Sequence, residues 1–153
     1  MSLMYNVQQG SLYVTIKRCV ELLGMDSTGF SDPYVKVSLL PLTNKAHRLK
    51  TSTKKRTLNP EFFETLAFVV PFKDLPKKTL KIDVFDKDVG KHDDYIGRVS
   101  FERLIKSCKS KTRFLGSVLL STSAKGERQK HWTNCIQNPG NEFEQWHKLE
   151  VIE

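Results

Sequence analysis

A chain of 153 residues with 39% apolar and 10% aromatic content is long enough for one domain with its own core, which excludes a disordered segment or a stapled mini-protein. Its net charge of +8 points to an anionic partner, yet no apolar stretch reaches the ~18–20 residues of a membrane span. Cys19, Cys108 and Cys135 form no CxxC, and His47, His92, His131 and His147 are equally scattered; this argues against a disulfide framework or a transition-metal site and for a reduced, cytoplasmic setting.

The opening MSLMYNVQQG has no basic n-region and no apolar h-region, so it does not read as a signal peptide. Residues 1–10 read as an N-terminal extension whose first few residues are of expression-vector origin, and a single domain occupies 11–151. SLYVTIKR alternates Leu12, Val14 and Ile16 against Tyr13, Thr15 and Lys17; DPYVKVSLL alternates Val35, Val37 and Leu39 against Tyr34, Lys36 and Ser38. RLKTSTK, ETLAFVV (Leu66, Phe68, Val70) and TLKIDVF (Leu80, Ile82, Val84) continue the series. Period two with β-branched and aromatic enrichment predicts half-buried strands, and several at short intervals predict an all-β antiparallel sandwich. Pro33, Pro41, Pro60, Pro71 and Pro76 stand at run edges, where a missing amide does no harm. One helix is predicted over AKGERQKHWTNCIQN, with Trp132, Cys135 and Ile136 at i, i+3 and i+4 and a stop at Asn138-Pro139-Gly140. FEQWHKLE reads as a last strand, and both Trp132 and Trp146 as core residues.

Six of the eight aspartates sit in two short loops about sixty residues apart, MDSTGFSDPYV and FDKDVGKHDDYIG. Like charges gathered in this way raise one another's pKa and cost free energy unless a cation neutralises them. Loops cluster at the ends of a sandwich, so the two can share one rim. Asp26, Asp32, Asp86, Asp88 and Asp94 would then supply five carboxylates to a hard cation, Ca²⁺ above all, which takes about 6–8 oxygens. Alternation turns Asp86 and Asp88 to one side and Lys87 to the other, and Gly29, Gly90 and Gly97 allow tight turns. An EF-hand fails the test, because position twelve counted from Asp86 is Gly97 rather than a bidentate Glu. Ordinary turn aspartates explain two or three such residues, but not six of eight.

Asp26-x(5)-Asp32-Pro33-Tyr34-Val35 followed by Asp86-x-Asp88-x(5)-Asp94-Tyr95-Ile96-Gly97, with TLNPEF at Thr57 to Phe62, resembles the C2 domain. SAKGERQKHW and EQWHKLE are similar to the second C2 domain of the rabphilin and double-C2 group, and more loosely to that of synaptotagmins. The resemblance covers nearly the whole chain. It implies an eight-stranded antiparallel C2 sandwich with a helix before the last strand and Ca²⁺ in the apical loops. Asp26, Asp32, Asp86, Asp88 and Asp94 match the family's ligand positions, and the backbone carbonyls of Met25 and Lys87 fall where the family supplies further ligands. Asp93 stands where relatives often carry Asn and is a further candidate ligand. RVSFERLIKSCKSKTRFL (98–115) departs from the family as an insertion, read either as a basic surface helix or as a solvated loop. It leaves two candidates for the seventh strand, 95–101 and 114–120.

Between Pro33 and Pro60 there is no acidic residue. Strand alternation gathers Tyr34 with Lys36, and Arg48 with Lys50 and Lys54. Such a face attracts phosphoinositide headgroups, each Lys or Arg adding about 1 kcal/mol near an anionic leaflet; its plainer reading is a solvated strand face. The family's phosphatidylinositol-bisphosphate site carries over onto Tyr34, Lys36 and Lys50, with Ser52 at its second basic position. The resemblance thus implies a monomeric domain that attaches to anionic phospholipid in a Ca²⁺-dependent way during regulated exocytosis, with Phe30 and Val89 at the membrane-facing loop tips. A Ca²⁺-independent module binding SNARE or other trafficking proteins is the rival. No reader helix or stacking platform supports nucleic-acid binding, and no triad or elbow motif supports an enzyme.

Overall fold

Alternation along residues 11–18 becomes a strand whose Leu12, Val14 and Ile16 are buried while Tyr13, Thr15 and Lys17 face outward. The computed structural model describes residues 1–22, 31–87 and 113–150. Within them lie β1 (Ser2–Asn6), β2 (Ser11–Arg18), β3 (Pro33–Leu40), β4 (Arg48–Lys50), β5 (Glu61–Val69), β6 (Thr79–Asp86), β7 (Arg113–Leu120), helix α1 (Glu127–Gln137) and β8 (Phe143–Glu144). Two four-stranded sheets, β5-β2-β1-β8 and β4-β3-β6-β7, are antiparallel throughout. Between them lies one core, with Val35, Val37, Leu39, Leu80 and Val84 of one sheet facing Leu3, Leu12, Val14 and Phe68 of the other. The expected all-β sandwich is the architecture found, with one α-helix among the described residues.

Residues 1–10 are not an extension. Leu3 and Tyr5 alternate inward at 0% and 1% exposure, and β1 pairs with β2 from Ser2↔Thr15 to Asn6↔Ser11. The turn between them needs a left-handed residue, which Gly10 supplies at φ 61°. The second candidate for the seventh strand, 114–120, pairs with β6 through a bulge at Val84/Phe85. The first candidate, and most of the 98–115 insertion, lie outside the described residues.

Helix α1 buries Trp132 and Cys135 as its spacing predicts, with His131 beside them. Burial pushes the Cys135 thiol up to about 12. After the helix, Gly140 donates its amide to Tyr5 O at 2.7 Å and turns the chain toward β1. The expected last strand then divides. Phe143–Glu144 joins β1 in one sheet, while Glu150 exchanges backbone bonds with Ser117 of β7 in the other, at 2.8 and 2.9 Å. The crossing segment carries Trp146, which is 52% exposed under the Arg18 guanidinium instead of lying in the core.

A histidine pair ties this crossing to α1. His131 Nε2 lies 2.7 Å from the Phe143 carbonyl, which can only accept, so Nε2 donates. His131 Nδ1 therefore accepts from His147 Nε2–H at 2.8 Å. Desolvation, aided by repulsion from His131, the N-terminus and Arg128, lowers His147 from 6.5 to about 4. The unfolded chain thus binds more protons than the folded one between those values, and stability falls as pH drops from 6.5 toward 4. Thermal melts should show His147→Gln losing less stability than the unmodified chain across that interval; parallel losses would remove His147 from the acid response.

Candidate calcium and headgroup site

The first half of the site is built at one end of the β3–β6 pair. Pro33↔Asp86 is the last step of the register, so the aspartates before β3 and at the end of β6 come together. Asp32 is 6% exposed and Asp86 is fully buried. The Asp32 amide donates to Asp86 Oδ1 at 2.8 Å, the Arg56 amide donates to Asp32 Oδ1 at 2.7 Å, and the Lys87 amide donates to Asp32 O at 2.8 Å. Each carboxylate is therefore held by a charge-assisted backbone bond. Arg56 contributes through its main chain, from the segment running beside β3, a role that no charge pattern in the sequence signals.

These donors suit a hard cation. Two buried carboxylates from segments far apart in sequence, with the Lys87 main chain beside them, are the oxygen set that Ca²⁺ prefers. Met25, Asp26, Phe30, Asp88, Val89, Asp93 and Asp94 lie outside the described residues. Among the described residues no group of three or more His, Cys, Asp or Glu gathers at metal distance, so the fit rests on the Asp32–Asp86 pair.

The second half is the outer face of β3, β4 and β6. Lys36 stands opposite Lys50 across β3–β4, and Arg48 opposite Ser38. Like charges directly opposed on a sheet cost stability, and an anionic ligand would relieve that cost. β4 ends at Lys50, so alternation reaches Arg48 and Lys50 but not Lys54, whose amide instead donates to Pro33 O at 2.9 Å. Ser52 is occupied, donating its amide and hydroxyl to the Glu64 carboxylate at 3.0 and 2.7 Å.

Two further members of this face acquire their neighbours only through strand pairing. Phe85 of β6 stacks on Tyr34 with centroids 5.5 Å apart, meets Phe114 edge-on at 5.7 Å, and lies under the Lys36 ammonium at 5.6 Å. This aromatic floor holds Tyr34 and Lys36 in place. Asp83, 6% exposed, pairs in register with Lys36 and approaches Lys81 Nζ at 3.8 Å, so the basic face carries a carboxylate at its centre. The signal for both was the alternation of TLKIDVFD, which sets Lys81, Asp83 and Phe85 on one face.

Similarity to known proteins agrees with this geometry. The C2 domain pattern matches residues 10–106. Rabphilin-1 of Caenorhabditis elegans is 63% identical over 149 residues, covering 97% of this chain, which spans only 12% of that relative's length. A C2 domain of RIM from Drosophila superposes with a TM-score of 0.59 at 21% identity, covering 81% of this chain and 84% of that one, a likeness of fold alone. The third C2 domain of the KIAA1228 protein superposes with a TM-score of 0.58 at 28% identity, over 84% of this chain and 78% of that one. With its matching family pattern, its two antiparallel four-stranded sheets and its paired loop aspartates, this chain belongs to the C2 domain family.

Proposed function

We propose that this domain is a binding module that attaches peripherally to anionic phospholipid membranes when Ca²⁺ is present, and that it serves vesicle trafficking or regulated exocytosis. The observation that carries the reading is the meeting of Asp32 and Asp86, buried side by side and each fixed by a main-chain amide. Asp26, Asp88 and Asp94 complete the carboxylate set, with Asp93 and the carbonyls of Met25 and Lys87 as further donors. Bound Ca²⁺ supplies positive charge at this rim and open coordination positions for lipid oxygens. Without it, the gathered carboxylates repel phosphatidylserine although the chain as a whole is basic.

Lys36 and Lys50 provide a second contact, with Tyr34 and Arg48 on the same face and Lys54 near its margin. Two weak sites on one rigid body multiply in affinity when both engage one bilayer. Phe30 and Val89 enter the interface. Co-sedimentation with liposomes across a series of Ca²⁺ and phosphatidylinositol-bisphosphate contents tests the reading. Binding should require Ca²⁺ and anionic lipid together, and increase with phosphoinositide. Calorimetric silence on titration with millimolar Ca²⁺ would overturn it in favour of a Ca²⁺-independent module for SNARE or other trafficking proteins. Lys36→Gln with Lys50→Gln should weaken binding to phosphoinositide vesicles by about 2 kcal/mol, some thirtyfold. Unchanged affinity in the double variant would remove the basic face from the mechanism.

A further inference from the structure

The segment that crosses from β8 to β7 leaves the sandwich open beneath it. A groove of about 430 Å³ enters between the sheets there, within the ~300–1,000 Å³ range of small-molecule sites. Ile16, Val35, Ile82, Val84, Leu115 and Val118 form its floor. Elsewhere among the described residues only Phe62, at 5%, departs from a closed core. Among the described residues six core side chains exceed 1% exposure, and five of them (Ile16, Leu22, Ile82, Leu115 and Val118, at 4–6%) line this groove. Among the described residues the core comes nearest to solvent here.

The mouth has different chemistry. Lys17, Arg18, Lys148 and Trp146 surround it, and Glu21 is the one carboxylate among its described lining residues. Lys17 is engaged by Glu144 at 3.1 Å. Arg18 and Lys148 are exposed, with no carboxylate at ion-pair distance among the described residues. The Arg18 guanidinium lies 5.1 Å from the Trp146 ring centroid, which holds a planar double donor at the lip.

We propose that this groove takes a single-chain anionic lipid, a long-chain carboxylate, with its chain between the sheets and its head on Arg18 and Lys148. An apolar trench under an unpaired cationic lip is complementary to such an amphiphile. A groove of about 430 Å³ is of the size that takes one small amphiphile. Among the described residues neither Asp32 and Asp86 nor Lys36 and Lys50 line the groove, so this binding is independent of Ca²⁺.

Trp146 lines the groove, whereas Trp132 is fully buried and lies outside it. A long-chain fatty acid brominated at mid-chain, titrated in chelator below its micellar concentration, should quench Trp146 emission saturably with a micromolar midpoint. Trp146→Phe should abolish the quenching. Arg18→Glu, at an exposed position, should weaken binding roughly tenfold. Cys19→Phe, which narrows the groove, should prevent binding, and a cooperative melt of the variant shows that it still folds. Quenching that rises without a plateau, that persists in Cys19→Phe, or that a brominated fatty alcohol of equal length matches, would overturn the proposal. Because the titration contains no Ca²⁺, its outcome is separate from that of the liposome experiment.

Discussion

Asp86→Asn, alone or with Asp88→Asn, is expected to abolish Ca²⁺-dependent sedimentation with phosphatidylserine vesicles while leaving the fold intact. Asn retains the oxygen that accepts the Asp32 amide at 2.8 Å, so the bond between the two loop segments survives. What is lost is a negative charge at a fully buried position. Ca²⁺ affinity in oxygen-ligand sites spans orders of magnitude with ligand charge and rigidity, so a decrease of at least about a hundredfold is expected. The apo protein should respond in the opposite sense. Neighbouring carboxylates without a cation repel each other, so the variant should melt higher than the unmodified chain in chelator. It should gain nothing on adding Ca²⁺, whereas the unmodified chain gains stability by ligand linkage. A variant that still sediments with vesicles only when Ca²⁺ is present would remove Asp86 from the site.

The contrast between Asp32–Asp86 and Asp83 marks how far residue pattern reaches. Asp32 and Asp86 were legible because the clustering of loop aspartates opposes the charge of the chain, and the meeting of these two follows from sandwich loops sharing an end. Asp83 lies in the middle of TLKIDVF, where the pattern fixes its face but not its neighbours. Its place opposite Lys36 depends on the β3–β6 register, and register is set by the whole sheet. Phe85 escaped for the same reason. Strands with long alternation, such as β2 and β3, were plain, whereas β1 offers only five residues at the chain start and depends on pairing with β2. The last segment was misread as one strand because FEQWHKLE continues without a breaker; its division between two sheets is a property of the sandwich edge. Trp146 went with it, since an indole in a short apolar run reads as core until the strand beneath it is known to leave the sheet.

Trp132 gives the sharper stability experiment, because the two obvious replacements should differ widely. It is the largest fully buried side chain, on the inner face of α1 beside Cys135. The helix sequence is predominantly polar, so this face carries most of its attachment to the sandwich. Trp132→Ala removes the indole from a packed interior and should cost about 3–5 kcal/mol, a large part of the stability of an ordinary domain. The Trp132 Nε1–H has no hydrogen-bond partner among the described residues, and an unmet buried donor costs about 1–3 kcal/mol in the native state. Trp132→Phe discards that donor along with part of the volume, so the two effects oppose and the net loss should stay below about 1.5 kcal/mol. Urea unfolding with both variants measures the difference directly: an unchanged slope and a much lower midpoint for alanine, with phenylalanine close to the unmodified chain. If phenylalanine costs as much as alanine, then the indole nitrogen is engaged and the account of the α1 interface is wrong.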